Sequence, residues 1–226
     1  MTAIKKGPPL TAYSWSCRSV ILKVGEEEGE ILVHESLIRT CSSFFEAALS
    51  KPWKESTERT ILLPDDEPNI VKLYVQYLYR KQLCIKVVDE HSLKLQNHEN
   101  HPEFFTLATL YVFGEKIGDI GFKNAVLDAF IQRMNDDTPD GGKRYPVNKV
   151  VDIIYRGTMA GSKARQLMLD VHVWRGGSWW ITENPEENNK EFLMELSRAL
   201  MDKRFIPAGA TPLALTSIID GTYHET

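Results

Sequence analysis

Four side chains that can ligate metal ions occur in one polar stretch of the chain: Cys84, His91, His98 and His101. Their spacing is Cys-x6-His-x6-His-x2-His, whereas structural zinc sites use closely paired ligands. Histidines scattered over a polar loop are usually solvated, and a weak zinc or nickel site is the alternative. We therefore expect no metal centre in this stretch.

The other candidates for catalysis lack the partners that catalysis requires. Cys41 lies in an apolar helical context that disfavours a thiolate, and the chain has no Gly-x-Ser-x-Gly nucleophile elbow. The sequence Gly-Glu-Glu-Glu-Gly at residues 25–29 lacks the lysine and the glycine spacing of a phosphate-binding loop, so we interpret it as a hairpin turn. His34 follows a strand pattern and is interpreted as a structural residue rather than a general base. The sequence thus predicts neither an enzyme nor a cofactor.

The first secondary-structure element that the sequence predicts is a β-hairpin. Runs rich in Val, Ile and Leu at residues 20–24 and 31–33 predict its two strands. A helix starts near Leu37, and Ser42 or Ser43 caps a second helix that Pro52 ends. A third strand at residues 60–63 precedes a helix with Pro68 in its first turn. The inward face of that helix is predicted from spacing: Ile70, Leu73, Tyr74, Tyr77 and Leu78.

The remainder of the chain reads as mostly helical. A polar insertion at residues 86–102 is expected to be an exposed loop, and two amphipathic helices follow at residues 103–117 and 122–134. A segment rich in Asp, Pro and Gly at residues 136–142 marks a boundary. Beyond it, apolar periodicity predicts three helices at residues 147–155, 163–173 and 191–205.

Several motifs follow one another in the region from residue 20 to 83: Val-His-Glu-Ser-Leu at 33–37, Ser-Ser-Phe-Phe-Glu-Ala-Ala at 42–48, Glu-Arg-Thr-Ile-Leu-Leu at 58–63 and Leu-Tyr-Val-Gln-Tyr-Leu-Tyr at 73–79. With these motifs the region resembles the BTB/POZ domain, and its sequence is most similar to the BTB proteins of filamentous fungi. It implies an α+β fold, in which a small three-stranded sheet is flanked by a cluster of α-helices. A helical C-terminal extension would follow this BTB/POZ fold.

The resemblance also implies protein–protein interaction: homodimerisation, recruitment of a cullin ubiquitin ligase, or docking of a corepressor. Repressor-type members build a charged pocket from an Asp and a basic residue, whose matching positions here hold Ser19 and Cys41, which argues against the corepressor role. The helices predicted at residues 103–117 and 122–134 resemble the helical hairpin that closes a BTB domain, and cullin adaptors place a hydrophobic-x-acid tripeptide just before this closing hairpin. The corresponding stretch ends in Glu103 but has His101 at the apolar position. Glu103 is thus a candidate cullin contact, or simply an acid favoured by the helix dipole.

Trp174, Trp179 and Trp180 surround a Gly-Gly-Ser turn and are candidate partner-binding residues, since Trp is frequent at binding hot spots. Packing against the preceding helix is the competing interpretation, because exposed Trp clusters promote aggregation. The sequence does not distinguish between the two.

The composition of the chain argues against nucleic-acid binding and against a membrane protein. The chain has 226 residues, 42% of them hydrophobic, with 27 basic and 31 acidic residues mixed along it, so direct nucleic-acid binding is not expected. Three irregularly spaced cysteines suggest a reducing compartment. No apolar run approaches the roughly 20 residues that cross a bilayer, and no apolar signal core follows the N-terminal lysines. We expect a cytoplasmic or nuclear location, or both, and no membrane contact.

The sequence thus predicts a flexible N-terminal arm (1–16), a BTB/POZ domain (17–135), a linker (136–146), a helical extension (147–205) and a flexible tail (206–226). Its function is predicted to be non-catalytic: a homodimerising scaffold or a substrate adaptor that links a client to a cullin. The alternative is a structural assembly or transcription-associated scaffold with no ubiquitin link.

Overall fold

The structure is a computed structural model that describes residues 18–26, 29–50, 58–83, 85, 102–137, 141–146 and 148–203. The N-terminal arm, the tail, Pro52 and residues 86–101 of the polar insertion lie outside the described residues. The four candidate metal ligands, Cys84, His91, His98 and His101, lie outside them as well.

A three-stranded sheet opens the described structure, with strand order β2-β1-β3. The strands are β1 (Ser19–Val24), β2 (Gly29–His34) and β3 (Thr60–Leu63); β1 runs antiparallel to β2 and parallel to β3. Gly25 follows β1 with a φ of 75°, a left-handed conformation that glycine adopts without steric cost. Because strand side chains alternate between faces, Val20, Leu22 and Val24 are all buried. The predicted hairpin is confirmed.

Three helices follow the strands closely: α1 (Glu35–Cys41), α2 (Ser43–Ser50) and α3 (Pro68–Arg80). The Ser42 hydroxyl accepts a hydrogen bond from the Phe45 backbone N–H at 3.3 Å, so Ser42 rather than Ser43 provides the cap of α2. Pro68 occupies the first turn of α3, as expected. The inward face of α3 is wider than its spacing predicted, because Val71 and Val75 are also buried whereas Leu73 is half-buried.

The closing hairpin consists of α4 (Pro102–Ile117) and α5 (Ile120–Asn135), which pack against each other. Gly118 makes the turn between them with a φ of 66°. The Asp119 carboxylate then caps α5 by accepting a hydrogen bond from the Phe122 backbone N–H at 2.8 Å. Helix α4 starts one residue before its predicted range and ends at residue 117 as predicted, whereas α5 starts two residues earlier and ends one residue later than predicted. The Asp119 cap, rather than the apolar pattern, sets the start of α5.

The extension adds α6 (Lys149–Gly157), α7 (Lys163–Arg175) and α8 (Lys190–Asp202). Helix α6 packs along α4 so closely that a Cβ placed on Gly157 would lie 2.3 Å from Val112 Cγ2. One cluster of buried apolar residues therefore runs from Val20 in β1 to Leu196 in α8. The described structure is a BTB-like α+β core continued by packed helices, and the residue boundaries between domain, linker and extension stay a prediction.

A buried arginine ties the end of α6 to α7. Arg165 is 5% exposed, and its guanidinium donates to the Thr158 hydroxyl at 3.1 Å and to the Tyr155 carbonyl at 2.7 Å. It also lies 4.5 Å from the centre of the Tyr155 ring. The last carbonyl groups of a helix have no hydrogen-bond donors within that helix. The guanidinium of Arg165 provides such a donor at the C-terminus of α6.

Candidate interaction surfaces

Within the described ranges, no three His, Cys, Asp or Glu side chains are arranged to hold a metal ion. No helix in the same part of the chain has both the length and the apolar character of a membrane span. The polar side chains that are buried in this region contribute to structure, as the following contacts show.

Two buried hydroxyl groups, on Ser42 between α1 and α2 and on Tyr74 of α3, form hydrogen bonds with the turn between α4 and α5. The Ser42 hydroxyl donates to the Ile117 carbonyl at 2.6 Å, and the Tyr74 hydroxyl donates to Asp119 Oδ2 at 3.1 Å. Burial, followed by the nearby Asp119 charge, raises the pKa of Tyr74 far above its ordinary value. Tyr74 therefore remains a hydrogen-bond donor at any physiological pH, and this contact is structural.

A network of opposite charges connects α1 and α2 with Arg59, the residue that precedes β3. Glu35 is buried and accepts from Arg39 at 3.0 Å and also from Arg59. Arg39 extends the network to Glu46, with Nε to Oε2 at 2.8 Å. Hydrogen bonds from Arg39 and then from Ser50 lower the pKa of the Glu46 carboxyl to about 2. The network fixes the helical pair that begins the domain.

His34 contacts the end of α3 rather than a second catalytic group. Its backbone N–H donates to the Tyr79 hydroxyl oxygen at 3.1 Å, and its Nδ1 lies 2.6 Å from the same oxygen. The Tyr79 hydroxyl thus forms hydrogen bonds with both the backbone and the ring of His34. This contact ties β2 to α3 and fits the structural interpretation of His34.

Glu103, the candidate cullin contact, lies in the first turn of α4 and forms an ion pair with Arg133 of α5. Both side chains are partly buried at 28% and 21% exposure, so part of the carboxylate is occupied within the hairpin. The helix dipole favours an acid at this position. The structure thus gives Glu103 an internal role and does not test its contact with a partner.

A charged residue that local sequence patterns do not reveal lies beside Cys41, one of the two positions that match the charged pocket of repressor-type members. Lys81 follows α3 in a left-handed conformation, and its Nζ lies 3.5 Å from Cys41 Sγ and 5.3 Å from the centre of the Tyr77 ring. A cation is therefore present beside Cys41, although the chain places it 40 residues away. No local signal could have located it, because the contact depends on how α1 and α3 pack. Ser19, the other pocket position, is half-buried in β1.

The three tryptophans of the extension divide into two groups. Trp174 and Trp179 are 68% and 81% exposed. Trp180 packs inward, with its ring centre 5.0 Å from that of His172 and 5.4 Å from that of Tyr145. Packing thus accounts for Trp180, and partner binding by Trp174 and Trp179 stays a prediction.

His172 lines a small pocket in the extension together with Asn148, Val151, Trp180, Asn189 and Phe192, among others. Its Nδ1 donates to the Met168 carbonyl at 2.8 Å, and burial lowers the pKa of the imidazole below its ordinary value. The neutral ring is enclosed by the edges of aromatic neighbours, and this arrangement serves packing.

The described residues form an α+β core that is continued by helices, and the extension exposes the aromatic rings of Trp174 and Trp179. Residues 14–114 match the family model of the BTB/POZ domain. The chain therefore contains a BTB/POZ domain, a class that is in general non-catalytic, and its fold is the α+β BTB fold followed by helices. The family match ends within α4.

A curated protein of Danio rerio, Kelch-like protein 40b, is 27% identical over 93 residues, which cover 41% of this chain and 15% of that relative. The chain thus aligns with a small part of the relative's length. The relative is a vertebrate protein, so the narrower likeness to fungal BTB proteins finds no support in these matches.

Proposed function

We propose that this protein is a non-catalytic scaffold that pairs with a second copy through its BTB/POZ domain and serves as a substrate adaptor for a cullin-type ubiquitin ligase. The observation that carries the proposal is a BTB/POZ domain whose closing hairpin is continued by tightly packed helices. Pairing and cullin recruitment are roles of BTB/POZ proteins, and packed helices offer a client a surface in fixed relation to the domain. Cytoplasm, nucleus or both would suit this role.

Pairing through the first helices is supported by the surface that they leave open. Phe44 at the start of α2 is 37% exposed, and Leu37 in α1 is half-buried. A two-fold dimer would bury the same apolar patch from each copy, which is the most common oligomer geometry. We expect sedimentation equilibrium to give twice the 25.8 kDa mass of the chain.

Phe44→Lys should shift the mass toward that of the monomer, because it would place two ammonium groups in the contact. Ile131→Lys is the matched control, since Ile131 is a similarly exposed apolar residue on α5, at 45%. A monomeric wild-type chain, or equal effects of the two substitutions, would reject pairing through α1 and α2.

The adaptor role is tested by affinity purification of the tagged protein, at close to its native level, from its own cells. Recovery of a cullin together with ubiquitin-pathway proteins is the expected result. Glu103→Lys should remove the cullin while the mass of the dimer is kept. Cullin recovery that is unchanged by this substitution would reject Glu103 as a contact.

The second candidate is an assembly or transcription-associated scaffold without a ubiquitin link. It is favoured by the ion pair between Glu103 and Arg133, which occupies the acid of the candidate cullin motif, and by the polar His101 two residues earlier. Recovery of only the protein itself and unrelated clients would support this candidate.

A further inference from the structure

A thiol and an amine lie in contact where α1 packs against α3. Cys41 is the last residue of α1, Lys81 directly follows α3, and the Lys81 Nζ lies 3.5 Å from the Cys41 Sγ. The two residues are 40 positions apart in the chain, so the packing of the helices brings them together. A nucleophilic sulfur and a nitrogen are thus close enough to react with each other once one of them is activated.

Two contacts hold the Lys81 side chain near the thiol. Lys81 has a left-handed φ of 54°, and its backbone N–H donates to the Tyr77 carbonyl at 2.7 Å, which fixes the direction in which the side chain leaves the helix. Its Nζ lies 5.3 Å from the centre of the Tyr77 ring, within the range of a cation–π contact. A reaction between groups that are already positioned avoids the entropy cost of bringing them together.

The sulfur of Cys41 has few other partners within reach. A cysteine that is oxidised to a sulfenic acid condenses with a second thiol or with a nitrogen. The backbone nitrogen of the next residue, Ser42, already donates to the Ile38 carbonyl at 3.2 Å. Cys41 is the one cysteine among the residues that the structure describes, and it is half-buried, so a small oxidant has better access than a bulky thiol. The Lys81 amine is therefore the best-placed nitrogen.

We propose that Cys41 and Lys81 form a reversible covalent bridge when the protein meets hydrogen peroxide. The Cys41 sulfur attacks one peroxide oxygen, the O–O bond breaks, and the thiol proton leaves with the other oxygen as water. Sulfur is thereby oxidised by two electrons to a sulfenic acid, and the peroxide is reduced. The neutral Lys81 amine then attacks this sulfur: an S–N bond forms, the S–O bond breaks, and the hydroxyl group leaves with an amine proton as water.

The bridge would be a redox-sensitive link between α1 and α3. Two equivalents of a small thiol reverse it, because they return the Cys41 thiol and the Lys81 amine and leave as a disulfide. A cross-link that spans 40 positions restricts the unfolded chain and so stabilises the folded one. It also removes the positive charge beside Cys41. The inference goes beyond the proposed function, since no step depends on pairing or on a cullin.

Mass spectrometry of the full-length chain after treatment with hydrogen peroxide tests the bridge. The intact mass should fall by the mass of two hydrogen atoms. A tryptic digest should contain one linked pair of peptides, joined at Cys41 and Lys81 and uncleaved after Lys81. Dithiothreitol should restore the original mass. The thermal unfolding midpoint should rise in the oxidised protein and return on reduction.

Lys81→Arg is the matched control, because arginine keeps the positive charge while its guanidinium stays protonated and does not attack sulfur. In this variant the sulfenic acid should persist at Cys41 and be labelled there by dimedone, whereas Cys41→Ser should give neither label nor bridge. Cys17→Ser and Cys84→Ser should both still form the bridge. A mass loss that either of these two variants abolishes, or that persists in Lys81→Arg, would identify a disulfide and overturn the inference. So would the absence of the linked peptides.

The outcome is separable from that of the proposed function. The linked peptides are read on the denatured chain, whereas the dimer mass and cullin recovery are read on the folded one. A dimer that recovers a cullin but forms no bridge would reject only this inference, and a bridge in a monomer that recovers no cullin would reject only the proposed function.

Discussion

Replacing Gly157 with alanine should destabilise the protein, although alanine is the better helix former. The added Cβ would lie 2.3 and 2.4 Å from the two Val112 γ-carbons, far inside an ordinary contact of about 3.5–4.0 Å. Overpacking of this kind costs about 1–3 kcal/mol. Helix propensity returns at most about 1 kcal/mol, and less at Gly157 because it ends α6. The expected net loss is about 1–2 kcal/mol in the free energy of unfolding.

Urea unfolding of the full-length chain, followed by far-ultraviolet circular dichroism, measures this loss. Thermal unfolding should shift by about 2–4 °C per kcal/mol for a chain of this size. Gly29→Ala is a matched control, since its Cβ would meet the Val24 carbonyl oxygen at an ordinary 3.6 Å, and its effect should stay within about 0.5 kcal/mol.

A double-mutant cycle with Val112→Ala isolates the contact. Removal of the γ-carbons makes room for the new methyl group, so the double variant should lose at least about 0.5 kcal/mol less than the sum of the single variants. A Gly157→Ala variant that is stabilised, or a coupling energy of zero, would refute the packing of α6 against α4.

Two further perturbations test the polar contacts of the core. Tyr74→Phe should cost about 1–3 kcal/mol in urea unfolding, because it leaves the buried Asp119 Oδ2 without its donor; an unchanged midpoint would contradict this contact. Glu46 has a lowered folded-state pKa, so its contribution to stability is complete above its ordinary pKa and is lost as the pH falls toward 2. Glu46→Gln should therefore flatten the decrease of the thermal midpoint between about pH 4.5 and 2, with a smaller effect at high salt because the group is exposed. An unchanged slope would mean that Arg39 and Ser50 do not hold this carboxylate in solution.

The strands and most helices follow from local pattern, because apolar residues recur at periods that only one element can bury. The predicted strand at residues 60–63 coincides with β3, and the start of α7 at Lys163 was also predicted. The start of α6 was placed two residues early, at residue 147. The helix begins at Lys149, after Asn148 takes a φ of 45°, and apolar spacing does not report such a turn.

The contacts that combine distant elements could not be predicted from the sequence. The apolar pattern of residues 103–117 does not show that the γ-carbons of Val112 lie against Gly157 of the extension. Arg is mostly exposed in proteins, so the sequence gives no reason to expect that Arg165 is buried. Its burial depends on hydrogen bonds to carbonyl groups of another helix. The sequence also does not distinguish Trp179 from Trp180, because the two are adjacent and chemically identical.

Helix α4 spans about 24 Å at 1.5 Å per residue, and both its C-terminal end and its middle contact other elements. Its last carbonyl holds Ser42 at the joint of the first helices, and its middle supports α6 through Val112. Helix α4 thus connects the first helices to the extension through direct packing. A client bound by the extension would therefore have a fixed orientation relative to a partner bound by the first helices. The packing of α4, rather than a flexible linker, would set the distance and angle between the two partners.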